Sequence, residues 1–417
     1  MLREILRQAG IALGRNLARS VLTMLGIAWG IVTVTLLIAY GAGFRHVLVR
    51  SFEVFGKSVV ICWPGQTSEQ AGGERAGKRV RFEQADLEMV RAESTLLQHA
   101  CLETFRMQGV GYGDRTANKA VRGVCAEYGE MRSEVASDGR WISPEDVVER
   151  RRVVFLGSLV RKRLFGERPA VGEIVQIGGL RFTVVGSMDR KIQLSTYFWS
   201  DDESLFIPYT SAADLWDTRY ASVMLFTSVN IAFEDKAMAQ VRAAVAKRQR
   251  FSPTDKRAIT MYGRKEGLPI IDGITIGLQG LLLFIGSLTL GIGGVGVMNI
   301  MLVSVEERVR EIGLRRAIGA RRRHIRAQFL IEALLLTLTG GVAGVALAYA
   351  VAAAIGTIPL LGPMYEDTSG QADIHLGISF GTLAISAGIL VLVGVLSGLA
   401  PAIRASRLDP ADALRYE

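Results

Sequence analysis

The chain has 417 residues, 49% of them apolar, with a mean hydropathy of +0.28 and a formal net charge of +9. That balance is too apolar for a purely aqueous protein and too charged for a chain buried wholly in lipid, so a membrane part and an aqueous part are expected. The basic surplus reads as a membrane-topology signal and is a poor sign of nucleic-acid binding, because much of it flanks the apolar runs.

Residues 1–19 carry Arg3, Arg7, Arg15 and Arg19 against Glu4. Leu2, Ile5, Leu6, Ala9, Leu13 and Leu17 fall near one helical face, the pattern of an amphipathic helix lying on the inner leaflet; a short solvated leader is the other reading. Four stretches then lack Asp, Glu, Lys, Arg and His: 20–44, 274–305, 333–365 and 376–403. Each exceeds the ~20 helical residues needed to cross a hydrocarbon core. Spans are assigned to 20–44, 273–303, 328–358 and 377–403. The first is expected to stay as an anchor, since its run is too long for a typical signal-peptide core and no convincing small-x-small site comes after it.

Orientation is set by the short flanks. The loop 304–327 carries Arg308, Arg310, Arg315, Arg316, Arg321, Arg322, Arg323 and Arg326 against Glu306, Glu307 and Glu311. The tail 404–417 carries Arg404, Arg407 and Arg415, whereas the loop 359–376 has no Lys or Arg, only Glu366, Asp367 and Asp373 as acids. The basic flanks, including both termini, are expected in the cytoplasm and residues 45–272 outside it.

The aqueous segment 45–272 has ordinary globular composition and reads as α+β. Ser58 to Trp63 looks like a strand, Gly65 to Gly77 a polar loop, and Phe82 to Glu93 a helix. Arg152 to Gly157 reads as a strand followed by a basic helix through Phe165. Val171 to Ile177 and Leu180 to Val185 flank Gly178-Gly179, a strong hairpin signal. Leu225 to Phe233 and Glu234 to Arg250 read as strand, then amphipathic helix. Cys62, Cys101 and Cys125 all fall here; they allow one disulfide with a thiol left over, or three small buried side chains. Tyr197, Phe198 and Trp199, with Phe206 and Trp216, suit loop packing or a partner surface. No catalytic or metal-binding set emerges. His46 and His99 lack ligand neighbours at metal spacing, and Ser158 lacks the G-x-S-x-G frame of a nucleophile elbow.

Two motifs match by letter only. Gly291-Ile-Gly293-Gly294-Val-Gly296 fits G-x-G-x-x-G, but lies in an uncharged run with no strand before it and no acid at the ribose spacing. Small residues in membrane helices instead let backbones approach closely, so Gly291, Gly293 and Gly294 are read as helix-packing residues. Gly340/Gly344 and Gly394/Gly398 repeat that theme. Ser51 to Ser58 falls one glycine short of a phosphate-binding loop. No nucleotide is expected to bind this chain, so any ATP and Mg must be held by another.

The most specific segment is the second uncharged run together with the charged loop after it. As a helix, 274–305 is overlong for a ~30 Å core at 1.5 Å per residue, so it should project toward the aqueous domain. Beyond it, Glu307/Arg310 and Glu311/Arg315 sit at favourable helical spacings. Gly319 suits a left-handed C-cap. Val305, Val309, Ile312 and Ile318 give an uneven apolar edge. Glu332 should sit near the interface and pair with one of the arginines. It is the only acid or base buried within the spans, which argues against a proton-coupled carrier.

Gly293 to Ala320 (GGVGVMNIMLVSVEERVREIGLRRAIGA) closely resembles the permease signature of MacB/FtsX-type ABC transporters. The ending from Pro401 (PAIRASRLDPADALR) looks like the tail of that family. Leu164 to Ile174 (LFGERPAVGEI), Phe182 to Gly186 (FTVVG) and Met24-Leu-Gly-Ile resemble its periplasmic core and first span. The match is looser between Gly65 and Ala120. A fused N-terminal nucleotide-binding domain is not evident, so the chain looks like the stand-alone permease form.

The resemblance implies an α-helical protein of a bacterial inner membrane, with four spans and a large periplasmic α+β domain between the first two. It implies a permease homodimer, a separate cytoplasmic ATPase subunit, and mechanotransmission for export or efflux; a periplasmic adaptor protein is a candidate partner. Lipoprotein release, regulation of cell-wall hydrolases and an uncoupled receptor or scaffold are the alternatives. Carried over, Glu307, Arg308, Arg310, Glu311, Ile312, Gly313, Arg315 and Gly319 would be the ATPase-coupling residues.

Overall fold

The computed structural model describes residues 17–53, 56, 58–71, 73, 75–193, 196–365, 372–410 and 413; the expected N-terminal amphipathic helix lies almost wholly outside them. The longer helices are α1 (Leu17–Glu53), α2 (Gln84–Glu93), α3 (Ser158–Phe165), α4 (Glu234–Gln249), α5 (Arg264–Glu307), α6 (Val309–Ala317), α7 (Arg322–Ile355) and α8 (Phe380–Arg407). The strands are β1 (Val59–Pro64), β2 (Leu97–Tyr112), β3 (Arg115–Val124), β4 (Ala136–Gly139), β5 (Val153–Leu156), β6 (Ile174–Ile177), β7 (Leu180–Met188), β8 (Ser204–Pro208), β9 (Val223–Ser228), β10 (Ile259–Tyr262), β11 (Thr357–Ile358) and β12 (Ile374–His375). They form two compact units: Val47–Asp272 with Leu361–Ala372, and the remaining segments, which hold the apolar helices.

In the aqueous unit one mixed sheet runs β10-β1-β9-β2-β3-β8-β5-β7-β4, with β6 bridging β2 and β7. The long β2 joins its two halves. Its first part pairs with β9 (Ala100↔Phe226) and its second with β3 (Thr104↔Gly123). Side chains alternate across the sheet. Val60 and Cys62 of β1 enter the core covered by α2 and α4, with Leu102 and Phe226, whereas Val59 and Ile61 enter an opposite core with Phe155 and Phe206. A further core packs Val160, Leu164 and Phe165 of α3 on Val154 and Leu205. Gly178 (φ 56°) and Gly179 (φ 85°) make the tight turn joining β6 to β7, since both central positions need positive φ. Cys101 and Cys125 form a disulfide, and Cys62 is a buried free thiol. His99 faces Glu130 at 3.6 Å, and no group of three metal-ligating side chains occurs among the described residues.

A buried ionic network sits beside the disulfide. Arg122 on β3 donates from Nε to Glu103 (2.6 Å), from Nη1 to Asp201 (2.6 Å) and from Nη2 to the Tyr128 hydroxyl (2.6 Å). Arg132 donates to Asp201 (2.7 Å). Lys191 uses its three N–H groups on the Arg132 carbonyl (2.7 Å), Glu134 (2.8 Å) and Asp201 (3.1 Å). Tyr197 donates to Glu103 and meets Tyr128 at 2.8 Å. Three cations thus face three carboxylates, which is how buried charge becomes tolerable. Through Lys191 and Tyr197 the network clamps the segment between β7 and β8. Tyr197 and Phe206 are therefore core, and Trp216 donates to Thr104 (2.9 Å), while Phe198 and Trp199 stay exposed, with Phe198 stacked on Phe105 at 4.8 Å.

The apolar unit holds four helices long and apolar enough to span a membrane. Their crossings are set by glycine. A side-chain carbon at Gly293 would lie 3.1 Å from the Gly26 carbonyl, at Gly294 2.6 Å from Ser397 Oγ, and at Gly344 2.7 Å from the Ala28 carbonyl. Gly340 abuts Ile27, Gly394 abuts Thr337 and Gly398 abuts Ala333, whereas Gly291 faces open space within the chain. Without a hydrophobic drive between helices in lipid, this close backbone packing supplies the dispersion energy that holds the bundle. A buried Thr35–Ser386 hydrogen bond of 3.2 Å adds to it.

Gly344→Leu is expected to push α1 from α7 and to cost about 1–3 kcal/mol, the usual range for overpacking. It should lower the melting midpoint in detergent, while Gly388→Ala, which meets open space, should not. A second expectation concerns pH. Burial, then the Asp201 charge, push the Glu134 carboxyl up to about 7 against the pull of Lys191 and Arg132. For Asp201, burial acts in the same upward direction, but Arg132, Lys191 and Arg122 outweigh it and hold that carboxyl far below the usual range. The folded chain keeps the Glu134 proton where an unfolded chain, with the ordinary 4.5, has lost it. Glu134 therefore makes stability fall as pH rises from about 4.5 to about 7. Melting curves at pH about 5 and about 7.5 should show a smaller drop for Glu134→Gln than for the native chain.

Candidate functional site

The loop between the second and third spans is a folded element. α5 runs unbroken for 44 residues and ends at Glu307. Arg308 breaks the helix (φ −113°, ψ 14°), and α6 starts at the next residue. α6 ends in a Schellman motif: the Gly319 N–H donates to the Arg316 carbonyl (3.1 Å) and the Ala320 N–H to the Arg315 carbonyl (3.0 Å). Gly319, at φ 104°, supplies the left-handed step that sequence spacing assigned to it.

One face of α6 is seated on the membrane unit. Ile312 is 4% exposed and joins the core of Val305, Ile325, Phe329 and Ala405. Gly313 lies so near Ala413 that a side-chain carbon would sit 2.5 Å from its Cβ. Arg316 donates to the Ser406 carbonyl (3.4 Å) and to that of Leu408, tying α6 to the end of α8. Arg308 meets Glu332 on α7 at 3.3 Å, the pairing expected for that acid. Arg315 bridges Glu311 (2.5 Å) and Gln328 (2.8 Å). Glu306 pairs with Arg404 at 3.1 Å.

The other face is open. Arg310, Leu314, Ala317 and Ile318 recur at helical spacing and are all exposed, Leu314 by 52% and Ile318 by 79%. Glu307 and Glu311 are exposed beside them, and Arg321, Arg322 and Arg323 come next in the chain. The arrangement is an apolar pair within a charged rim, on a short helix held rigidly from behind. Of the residues singled out from sequence, Glu307, Arg310 and Glu311 belong to this open face or its edge. Arg308, Ile312, Gly313 and Arg315 brace it, and Gly319 terminates it. Leu314 escaped the sequence reading; its signal was the i, i+4 relation to Ile318.

The far end of α5 is also fixed. Its first turn lies in the aqueous unit, where the Lys265 N–H donates to Glu234 (3.0 Å) and its ammonium pairs with Asp235. β10 leads directly into α5, and β1 comes after α1. These two strands pair antiparallel, with Ile61 opposite Tyr262 and Pro64 opposite Ile259.

Comparison with known proteins identifies relatives of the chain. Residues 20–248 match the family model of the MacB-like periplasmic core domain, and residues 283–410 match that of the FtsX-like permease C-terminal region. The macrolide export ATP-binding/permease protein MacB of Bdellovibrio bacteriovorus is 30% identical over 99% of this chain and 62% of its own length. The chain thus spans under two thirds of that relative. The ABC transporter permease YknZ of Bacillus subtilis, described as uncharacterized, is 28% identical over the full length of both chains. Among solved structures, the periplasmic region of MacB from Actinobacillus actinomycetemcomitans aligns at 14% identity over 53% of this chain and 95% of its own, with a TM-score of 0.41. The chain belongs to the MacB/FtsX-type ABC transporter permeases, a membrane protein with an extracytoplasmic α+β domain whose family implies an ATPase partner.

Proposed function

We propose that this chain is a permease subunit that transmits ATP-driven motion of a separate cytoplasmic ATPase to its extracytoplasmic domain, for export or efflux of a substrate. The observation that carries the reading is α5, one uninterrupted helix that begins among the paired strands β1 and β10 and ends at the braced, outward-facing α6. A helix of 44 residues is about 66 Å long at 1.5 Å per residue, well beyond a ~30 Å core, so it can carry displacement without a pore.

In this reading both termini and α6 face the cytoplasm of a bacterial cell, as the arginine distribution favours. Leu314 and Ile318 insert into the ATPase, and Arg310, Glu307 and Glu311 fix its register through the charged rim. ATP and Mg are held by that partner; this chain supplies no catalytic residue. Two permease copies act together, so that closure of the ATPase pair moves two domains. A periplasmic adaptor would receive that motion.

The test is co-purification from the native host. The intact chain should retain an ATPase, and Leu314→Asp with Ile318→Asp should reduce retention about tenfold or more, the loss of a buried apolar anchor. Charge reversal at Glu307 and Glu311 should weaken it less. Full retention by the double Asp variant, with an unchanged melting midpoint, would sink the docking assignment.

A further inference from the structure

The aqueous unit contains a cavity of 600 Å³ walled by α3, β4 and the end of β7. That volume lies within the usual ~300–1,000 Å³ of small-molecule sites. None of the roles proposed for the chain uses it. The most buried residue of its wall is Ser187 on β7, which is 1% exposed. The Ser187 hydroxyl has no hydrogen-bond partner among the described residues. A buried polar group left unpaired costs free energy, so this one points to a ligand group that completes it. Asp138 stands opposite Ser187 in the β4–β7 ladder, and directly paired residues present their side chains on one face.

The rest of the wall is rich in acceptors. Asp138, Glu167 and Asp189 are exposed carboxylates that make no side-chain hydrogen bond or ion pair among the described residues. Two serines of the wall have already committed their protons. Ser158 donates to Asp202 (2.6 Å) and Ser137 to the Ser187 carbonyl (3.1 Å), so both keep only lone pairs to offer. The cations of the wall do not cancel the acids. Lys162 and Arg190 have partners of their own, Arg190 donating to the Met364 carbonyl (3.3 Å). Arg161 is then the one unpartnered cation of the wall among the described residues, against three unpartnered carboxylates.

Spacing narrows the ligand. No group of three metal-ligating side chains occurs among the described residues, so the acids stand too far apart to share one metal ion. Leu159 of α3 and Met188 of β7 add apolar surface to the same wall. Separated acceptors with apolar surface match several ammonium groups joined by methylenes. An alkylammonium carries N–H donors and no acceptor, as a lysine side chain does. Its methylenes lie on apolar surface while its charged ends stay at polar groups.

We infer that this cavity binds a linear polyamine. Asp138, Glu167 and Asp189 accept from its ammonium groups, the Ser187 hydroxyl oxygen accepts from one of them, and Leu159 and Met188 carry its methylenes. The inference does not depend on coupling to an ATPase.

The test is calorimetric titration of the full chain in detergent with spermidine and with propylamine, and with spermidine again in magnesium chloride or in sodium chloride of equal ionic strength. The native chain should bind spermidine about tenfold or more tightly than propylamine, the factor that a second charge-assisted contact supplies. Magnesium should weaken spermidine binding no more than sodium does. Glu167→Gln with Asp189→Asn should bring spermidine down to the affinity of propylamine. Ser187→Ala should weaken spermidine binding about fivefold or more, while the ligand-free melting midpoint stays the same or rises because the unpaired hydroxyl is gone. Asp114→Asn, in the turn between β2 and β3, should change neither. Should the double variant fold less well, Ser187→Ala still decides. Unchanged spermidine binding in both cavity variants, or equal affinity for propylamine, overturns the inference. Stronger displacement by magnesium than by sodium also overturns it, since the acids would then serve a metal ion.

Discussion

The pairing of β1 with β10 is the constraint on which the rest of the structure depends. β1 continues from the first membrane-spanning helix and β10 runs into the second, and the two strands share a hydrogen-bonded ladder. A ladder of this kind resists shear, since each lost hydrogen bond leaves polar backbone groups to be satisfied elsewhere. In the proposed function, displacement of either helix along its axis reaches the sheet through this ladder. In the proposed function the sheet is the receiver and α5 the rod that drives it.

A transmission must be stiff at both ends. In the aqueous unit stiffness comes from β2, which ties two packed halves together, and from the ionic network around Arg122 and Asp201. Burying six charges carries a large desolvation cost, so the network is better understood as specifying one arrangement than as adding stability. It holds the chain after β7 in place through Lys191 and Tyr197. At the other end α6 is braced by Ile312, Gly313 and Arg316, which in the proposed function opposes rolling of the helix under a force on Leu314 and Ile318.

Features with short-range causes were readable from sequence. The uncharged runs announced the spans, Gly178-Gly179 the hairpin, and Gly319 the helix stop, because each depends on residues within a turn or a helix length. The Arg122 network was not readable, since its partners lie 19 and 79 residues away in the chain and no local spacing unites them. The pairing of Cys101 with Cys125 needed the β2–β3 register, which places both near one end of that hairpin. The hairpin itself escaped notice although Gly113-Asp114 marks its turn; β2 changes pairing partner along its length, which breaks a simple alternation. The inward turn of Ile312 and outward turn of Leu314 required knowing how α6 sits on its neighbours, which tertiary packing decides.

The central claim is that α5 carries motion between α6 and the extracytoplasmic sheet. Its most direct test is a spin-label distance between two permease copies, with the label at exposed Arg163 on α3, measured in the assembly with the co-purifying ATPase with and without ATP held unhydrolysed. The account predicts a distance change on ATP binding that disappears when two glycines are inserted after Asp272 in α5, while ATPase binding persists. A change of equal size with the inserted glycines, or none in the native assembly, would contradict it.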